Sequence, residues 1–182
     1  MDYAIPTEFK RKVVPDHARL KEIRRGFQAL GQTVVITIGS WDVLHIGHLR
    51  YLNRAKTYGD ILIVGTDSDR AIKLYKGELR PLVPQDERME MLSYQENINF
   101  ITLVDDVTKK GKWQYGLIRS LRPDVFVAVE DSYPEEQRRA IQKYCGKLVV
   151  LPRQAEKTST THLIQETMKR DLVDKIKKPG RD

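Results

Sequence analysis

The sequence alternates five short apolar runs with longer amphipathic segments, and this alternation restricts the fold more than any other feature. Each run is rich in Val, Ile or Leu and almost continuously apolar, which is typical of strands covered on both faces of a parallel sheet. The alternation predicts an α/β fold with a doubly wound five-stranded parallel sheet. The predicted strands are Thr33–Ile38, Ile61–Gly65, Phe100–Val104, Asp124–Val129 and Lys147–Leu151.

The segments around these strands carry helical periodicity. In the leading helix, apolar residues recur at Leu20, Ile23 and Phe27, and Gly31 suits the position just after a helix end. A C-terminal helix follows the last strand and ends before Pro179. The predicted helices are Asp16–Leu30, His48–Tyr58, Gln85–Tyr94, Trp113–Leu121, Pro134–Tyr144 and Thr161–Lys177.

The length of 182 residues predicts one domain. We divide it into an N-terminal extension with the leading helix at 1–32, the α/β domain at 33–178 and a tail at 179–182. One cysteine, Cys145, excludes an internal disulfide framework and a multi-cysteine zinc site. No apolar stretch is long enough to span a membrane, and the first residues lack the layout of a secretory signal. These features predict a cytoplasmic protein without a membrane partner.

The charge balance is basic, with 32 Lys and Arg against 25 Asp and Glu and a net charge of +7. Such a surplus suits nucleic acid or a small phosphorylated ligand, and an inert basic surface is the alternative. The basic runs Lys10–Lys12, Lys109–Lys112 and Lys175–Lys178 do not alternate with aromatic residues. We interpret them as solvated faces and predict no nucleic-acid partner.

In doubly wound sheets, ligands bind beyond the carboxyl ends of the strands, where the winding direction reverses. A site is therefore expected among the loops that follow the strands. Those loops are Gly39–Gly47, Thr66–Asp69, Glu130–Tyr133 and Pro152–Thr161.

The first of these loops leads into a helix and holds the strongest functional signal. His45 and His48 are three residues apart, and Gly47 lies between them. Residues at this spacing share one face of a helical turn, whose free N–H groups attract anions. Gly47 leaves room for a phosphate chain against the backbone, and two imidazoles supply hydrogen-bond donors that strengthen as charge develops. The pattern predicts phosphate chemistry.

Three other interpretations of the histidine pair were weighed. A zinc site would need a carboxylate as third ligand, since the chain has only four histidines and one cysteine. Two buried structural histidines would not need a glycine between them. A dinucleotide site would show G-x-G-x-x-G after the first strand, and the sequence lacks it. We predict no protein-bound metal.

The loop after the fifth predicted strand supplies a second signal. Arg153 and Lys157 precede a run of hydroxyl residues, Thr158–Thr161, at the start of the C-terminal helix. Hydroxyls and free N–H groups at a helix start can hold phosphate oxygens, although a plain helix cap is the usual role of Ser and Thr there. The fold should bring this helix start close to His45 and His48.

These motifs resemble those of the cytidylyltransferase-like nucleotidyltransferases. The chain carries Gly39–Asp42, His45–His48 and Ser159–Thr161 at the separation typical of that family. The pattern is most similar to the nucleotidyl domain of the bifunctional heptose-phosphate enzymes, and glycerol-3-phosphate cytidylyltransferases share its core motifs. Further similar segments are Leu49–Asp60, Val64–Asp69, Lys76–Pro81, Pro84–Arg88 and Leu121–Val125.

The resemblance implies a Rossmann-like nucleotidyltransferase fold and a reaction in which an acceptor phosphate attacks the α-phosphorus of ATP or CTP. Pyrophosphate leaves, and Mg²⁺ is bound mainly through the triphosphate. The implied acceptor is a phosphorylated sugar or polyol, with ATP and a heptose-type phosphate preferred and a CDP-alcohol-forming cytidylyltransferase as the alternative. An inactive nucleotide-binding protein and an RNA-binding surface are hypotheses from other classes. A homodimer is also implied.

The same resemblance implies the roles of individual residues. His45, His48 and Lys76 are the catalytic candidates, with Lys76 and Arg80 placed on a loop, where ordinary surface charge is the alternative. Ser159 and Thr160 would hold the outer phosphates, and the 39–42 backbone would cradle phosphate. The implied nucleotide-binding residues are Gly39, Ser40, Trp41, Asp42, Gly47, Asp69, Arg80, Asp131, Arg153, Ser159, Thr160 and Thr161.

The sequence departs from the family pattern at two places. Ser40-Trp41 stands where the family usually has Cys or Thr followed by Phe, so the aromatic character survives. After the fourth strand, the heptose enzymes have a lysine and two glycines before an aspartate, whereas this chain has Val127–Ser132 with Glu130 at the second glycine. That segment helps to form the nucleoside and acceptor pocket, so the base and the acceptor stay open.

Overall fold

Five parallel strands form one sheet in the order β3–β2–β1–β4–β5, as predicted for a doubly wound fold. The computed structural model describes residues 11–156 and 158–177, with side chains as far as residue 171. The predicted tail at 179–182, the first ten residues of the extension and the charge of Lys157 lie outside the described residues. The strands are β1 Val34–Gly39, β2 Ile61–Asp67, β3 Phe100–Val104, β4 Val125–Val129 and β5 Lys147–Leu151.

The winding direction of the sheet reverses at β1: β2 and β3 follow on one side of it, and β4 and β5 on the other. Val34 of β1 is in register with Ile61 of β2, and Val35 of β1 is in register with Val125 of β4. β1 therefore lies at the centre of the sheet, and the loop after β1 emerges where ligands bind in this class of fold.

Seven helices lie within the described part of the chain. Five of them, α1, α2, α4, α6 and α7, match the predicted helices to within two residues. The helices are α1 His17–Ala29, α2 Ile46–Lys56, α3 Asp69–Lys76, α4 Gln85–Ser93, α5 Gly116–Leu121, α6 Glu135–Gln142 and α7 Thr160–Lys177.

One predicted helix and one predicted loop were wrong in part. α5 begins at Gly116 rather than Trp113, because Trp113 pairs with Val107 in an antiparallel bridge and Tyr115 adopts a positive φ of 59°. The expected loop Thr66–Asp69 is largely regular structure, because β2 continues to Asp67 and α3 begins at Asp69. The hydroxyl of Ser68 caps α3 by accepting a hydrogen bond from the Ala71 N–H at 3.0 Å.

Two apolar layers cover the sheet. Val34 and Ile36 of β1 face one layer, with Leu20 of α1. Val35 faces the other layer, with Leu52 of α2. Successive residues of β1 thus point into opposite layers, which confirms that the central strands are buried on both faces. The prediction was wrong for β5, an edge strand in which Leu151 alone is buried.

No helix in the described ranges is long and apolar enough to cross a lipid bilayer.

Candidate active site

A cavity of about 260 Å³ lies at the carboxyl edge of the sheet. The loops after β1, β4 and β5 line it, together with the end of α3 and the start of α7. Thirteen of the fifteen predicted site residues line this cavity, whereas Asp42 and Asp69 do not. The thirteen are Gly39, Ser40, Trp41, His45, Gly47, His48, Lys76, Arg80, Asp131, Arg153, Ser159, Thr160 and Thr161.

The two histidines form a stacked pair at the start of α2. Their ring centroids are 3.9 Å apart and the ring planes differ by 23°. His45 is the N-cap residue of α2, and its Nδ1 accepts a hydrogen bond from the Gly47 N–H at 3.1 Å. Because Nδ1 acts as the acceptor, the neutral ring carries its proton on Nε2. The predicted common face of the pair is confirmed.

His48 is held in its neutral form. Burial lowers the pKa of His48 to about 3, and the neighbouring His45 and Lys76 act in the same direction. Asp42 opposes them. The buried Nδ1 of His48 has no hydrogen-bond partner among the described residues. A neutral imidazole can donate one hydrogen bond to an anion without first giving up a counter-ion. Burial also lowers the pKa of His45.

The backbone between β1 and α2 is unusually shaped. Trp41 and Val43 both have a positive φ of 52°, which is uncommon for a tryptophan and a genuine outlier for a β-branched residue. The conformation lets the Trp41 indole turn inward, where Nε1 donates to the Gly65 carbonyl at 2.9 Å. The indole meets the His48 ring edge-on at 5.6 Å. Strained backbone of this kind concentrates at functional sites.

Gly47 is required by close packing. A Cβ at this position would lie 2.9 Å from the His45 ring and 3.0 Å from the Ala155 Cβ. The absence of a side chain thus allows the loop after β5 to approach α2. The approach of a phosphate chain, the reason expected from the sequence for this glycine, stays a prediction.

Asp42 lies behind the cavity and joins three segments. Its buried carboxylate accepts hydrogen bonds from Arg80 Nε at 2.6 Å and from the Leu82 and Val83 N–H groups at 3.0 Å. Burial opposes ionisation, but these hydrogen bonds outweigh it and hold the pKa of Asp42 below its usual value. The Asp42 carbonyl accepts a hydrogen bond from Thr160 Oγ1 at 2.8 Å. The first loop and the hydroxyl-bearing helix start therefore touch.

Lys76 is the last residue of α3 rather than part of a loop. Its ammonium donates to the Ser40 hydroxyl at 2.8 Å. The residue as a whole is exposed, yet burial around the ammonium and the charge of Arg80 lower the pKa of Lys76. Thr160 and Ser159 lie where predicted: Thr160 opens α7, and the Ser159 hydroxyl accepts from the His162 N–H at 3.2 Å.

Sequence reasoning missed Arg88. This arginine is 0% exposed and donates to the carbonyls of Ser40, Val83 and Asp67 and to the Asp69 carboxylate. The predicted nucleotide ligand Asp69 is therefore placed against Arg88, away from the cavity. The only signal for Arg88 was its presence in the similar segment Pro84–Arg88, which carried no assigned role.

The β4–β5 side of the cavity consists of exposed loops. Arg153 Nε donates to the Asp131 carboxylate, so these two predicted ligands are paired with each other. Arg138 donates to the carbonyls of Glu130 at 2.6 Å and Tyr133 at 2.7 Å and thereby fixes the loop after β4. Within the ranges that the structure describes, no three His, Cys, Asp or Glu side chains are grouped so as to hold a metal ion.

Comparison with known proteins matches this arrangement to one family. The family model described as cytidylyltransferase-like matches residues 36–174, which include most of β1 and most of α7. The chain belongs to the cytidylyltransferase-like family. The predicted α/β fold with its five-stranded parallel sheet is confirmed.

Curated relatives of this cytidylyltransferase-like chain include bifunctional HldE proteins. The protein from Geobacter sulfurreducens is 36% identical over 144 residues, which is 78% of this chain and 28% of the relative. The protein from Campylobacter fetus is 33% identical over 169 residues, or 93% of this chain and 32% of the relative. This chain thus matches about three tenths of the length of these relatives.

Two solved structures share the fold of the cytidylyltransferase-like chain. A lipopolysaccharide core biosynthesis protein from Thermoplasma volcanium has a TM-score of 0.57 and 24% identity, covering 68% of this chain and 98% of that one. A pantoate-beta-alanine ligase from Francisella tularensis, solved with an ATP compound and beta-alanine, has a TM-score of 0.52 and 11% identity. It covers 77% of this chain and 66% of that one.

Proposed function

We propose that this chain transfers a nucleoside monophosphate from ATP or CTP to the phosphate of a phosphorylated sugar or polyol, with release of pyrophosphate. ATP and a heptose 1-phosphate are the preferred pair. The observation that carries the proposal is the shared cavity, which brings the stacked His45 and His48 together with the hydroxyl-bearing start of α7. The Thr160–Asp42 hydrogen bond holds the two parts in contact.

The proposed step is an in-line substitution at phosphorus. An oxygen of the acceptor phosphate forms a bond to the α-phosphorus, and the bond from the α-phosphorus to the oxygen bridging to the β-phosphorus breaks. That bridging oxygen leaves with pyrophosphate and takes the electron pair. A phosphate nucleophile is already ionised at neutral pH, so the step needs positioning and charge stabilisation rather than a general base.

The residues of the cavity supply both requirements. Neutral His45 and His48 donate hydrogen bonds to phosphate oxygens, and Lys76 places a positive charge beside Ser40. Donors fixed in advance strengthen as negative charge develops and need no reorganisation during the reaction. Ser159 and Thr160 bind the outer phosphates at the N-terminus of α7, where free N–H groups favour anions.

Mg²⁺ is proposed as a companion of the nucleotide. It would bind the triphosphate oxygens, which is how this ion is usually held in nucleotide sites. The ion would lower the charge that the cavity must accept, and no side chain of the described residues is assigned to it.

The base and the acceptor are inferred from the relatives and from the loop after β4. Similarity to HldE proteins favours ATP and a heptose-type phosphate. Asp131 and Ser132 of the altered segment line the cavity, and because this segment departs from the heptose enzymes, a cytidylyltransferase that forms a CDP-alcohol is the second candidate.

The test is a pyrophosphate-release assay with Mg²⁺, either ATP or CTP, and a panel of sugar and polyol phosphates. Release with ATP and a heptose 1-phosphate supports the first candidate, and release with CTP and a polyol phosphate supports the second. Nucleotide binding without release from any acceptor would contradict the proposed transfer and favour an inactive nucleotide-binding protein. Binding to RNA that falls steeply with salt would instead favour a nucleic-acid partner.

The predicted homodimer is tested separately. Light scattering coupled to size-exclusion chromatography should give twice the monomer mass of 21.1 kDa. A monomer at enzyme concentrations that support turnover would show that one copy is sufficient.

A further inference from the structure

Two ion pairs border the same cavity, and they differ in burial. Arg80 pairs with Asp42, and these side chains are 14% and 0% exposed. Arg153 pairs with Asp131, and these side chains are 60% and 40% exposed. Each arginine was predicted to bind nucleotide, yet each is already neutralised by a carboxylate of the chain.

The buried pair is fixed in place. The Asp42 carboxylate also accepts hydrogen bonds from the Leu82 and Val83 N–H groups. Separating Arg80 from Asp42 would leave a buried carboxylate without its counter-ion, which is strongly unfavourable. A nucleotide can therefore bind only those N–H groups of the Arg80 guanidinium that do not already donate to Asp42.

The exposed pair can be exchanged at little cost. Solvent screens an ion pair of this kind, and its contribution to stability is small. A triphosphate offers several anionic oxygens to a guanidinium, which binds them in the same planar geometry as a carboxylate. The triphosphate is therefore the stronger partner for Arg153 once it enters the cavity.

We propose that Arg153 exchanges Asp131 for the nucleotide phosphates, and that the released Asp131 carboxylate then binds hydroxyl groups of the acceptor. The inference rests on the proposed function. Asp131 lines the cavity beside Ser132, on the wall formed by the loop after β4. A carboxylate accepts hydrogen bonds from hydroxyls and repels phosphate. Asp131 therefore orients the acceptor with its hydroxyl end towards this loop and its phosphate towards His45 and His48.

The exchange also sets an order of binding. Before the nucleotide arrives, Arg153 occupies the carboxylate that the acceptor needs. After the exchange, the Asp131 carboxylate is free. The hydrogen bond from the Arg153 N–H to the Glu130 carboxylate involves the main chain, so the exchange of the Arg153 side chain leaves it in place. The nucleotide therefore binds first, and the acceptor follows.

The test compares wild type with Asp131→Asn in two measurements. Calorimetry with an ATP analogue that has a methylene group between the α- and β-phosphorus gives the nucleotide Kd without acceptor or turnover. Because Arg153 no longer has a competing carboxylate, we expect the Kd to fall about two- to fivefold, the range spanned by exposed ion pairs. Steady-state kinetics should show a KM for the acceptor that rises at least fivefold. Unchanged or weaker nucleotide binding would overturn the exchange.

A double-mutant cycle separates partner exchange from a general charge effect. In an Arg153→Ala background, Asp131→Asn should leave the nucleotide Kd unchanged, because there is no arginine to release. If the Kd still falls in that background, the effect comes from removing a negative charge near the phosphates, and the exchange is wrong. The control is Glu135→Gln, which removes an exposed Glu135–Arg139 pair on α6 and should change neither measurement.

The two proposals can fail independently. If no acceptor gives pyrophosphate but the cycle shows coupling between Asp131 and Arg153, the proposed transfer fails and the exchange stands. If transfer is observed and the acceptor KM of Asp131→Asn equals that of wild type, the proposed transfer stands and the acceptor role of Asp131 is wrong.

Discussion

On the β1–β2 side of the cavity, Asp42 and Arg88 are fully buried and bind main-chain groups of several segments, whereas on the β4–β5 side Asp131 and Arg153 are exposed and bind each other. The buried residues hold the loop after β1 in a strained conformation and so serve the fold and the site together. The exposed residues can change hydrogen-bond partner or be substituted without disrupting the packing of the core. The departure at Glu130 lies on the exposed side, where the fold tolerates it.

The largest expected effect concerns Arg88, which anchors the buried side. Arg88→Met keeps the length of the side chain but removes a charged donor from three carbonyls and from the Asp69 carboxylate, which retains the hydrogen bond from the Gln85 N–H. We expect the free energy of unfolding to fall by about 3–5 kcal/mol, the usual result of removing one partner from a buried charged network. Urea denaturation measures it. Glu135→Gln on the exposed face of α6 serves as the control and should stay within about 0.5 kcal/mol of wild type.

The next prediction concerns catalysis rather than stability. His48→Ala removes one neutral donor from the stacked pair and should lower turnover about 100- to 1000-fold, the effect of losing a donor to a developing anion. Circular dichroism should show an unchanged fold. His162→Ala, an exposed histidine on α7, is the control and should retain full turnover. Substantial turnover in His48→Ala would contradict the role assigned to this residue.

A third prediction concerns the buried carboxyl of Asp67 at the end of β2. Its Oδ2 accepts a hydrogen bond from Tyr75 at 2.6 Å, and its Oδ1 has no hydrogen-bond partner within the described residues. Burial raises the pKa of Asp67 to about 6 from 3.8, although Tyr75, Lys76 and Arg88 oppose the shift. The folded state therefore binds this proton more tightly than the unfolded chain. Its contribution to stability is complete below pH 3.8 and is lost as the pH rises through about 6.

Asp67→Asn removes this titration. Relative to wild type, the variant should gain about 2.5 kcal/mol in the free energy of unfolding between pH 4 and pH 8. Asp105→Asn is a matched control of opposite sign, because hydrogen bonds from Arg70 and Ser68 outweigh burial and lower the pKa of Asp105. Denaturation at several pH values measures both, and parallel pH profiles for wild type and Asp67→Asn would refute the assignment.

The smallest effect concerns the contact between the two sides. Thr160→Val removes the hydroxyl that donates to the Asp42 carbonyl and should cost about 1 kcal/mol of stability, as for a typical hydrogen bond. The start of α7 would no longer be held against the first loop, so the KM for nucleotide should rise. Thr160→Ser retains the hydroxyl and should behave like wild type. Equal kinetics for the valine and serine variants would show that the contact does not position the nucleotide.

Local patterns were enough to predict the strands, since apolar runs and their punctuation depend on neighbouring residues in the chain. The histidine pair was predicted for the same reason, because its spacing is that of one helical turn. α3 was missed because only Ala71 and Ile72 of its eight residues are buried, which leaves little periodicity to detect. β5 was predicted to be covered on both faces because its composition does not show that it lies at an edge of the sheet.

The roles of Asp42, Asp69 and Arg88 could not be predicted in this way. The partners of these three side chains are between 16 and 48 positions away along the chain, except for the Arg88–Val83 contact, and depend on how the loops fold over one another. Asp42 and Asp69 were expected to meet the nucleotide directly. Each instead forms an ion pair with an arginine. These pairs join residues far apart in the chain, so local sequence patterns do not reveal them.

The indole of Trp41 provides the protein with an optical probe of the cavity. The ring meets His48 at 5.6 Å and is fixed by its hydrogen bond to Gly65, so its emission will respond when an anion or a proton changes the state of that imidazole. Trp113 is the other tryptophan of the chain, and replacing it with phenylalanine would leave a single fluorophore. Occupancy of the cavity could then be followed in real time without labelled substrates.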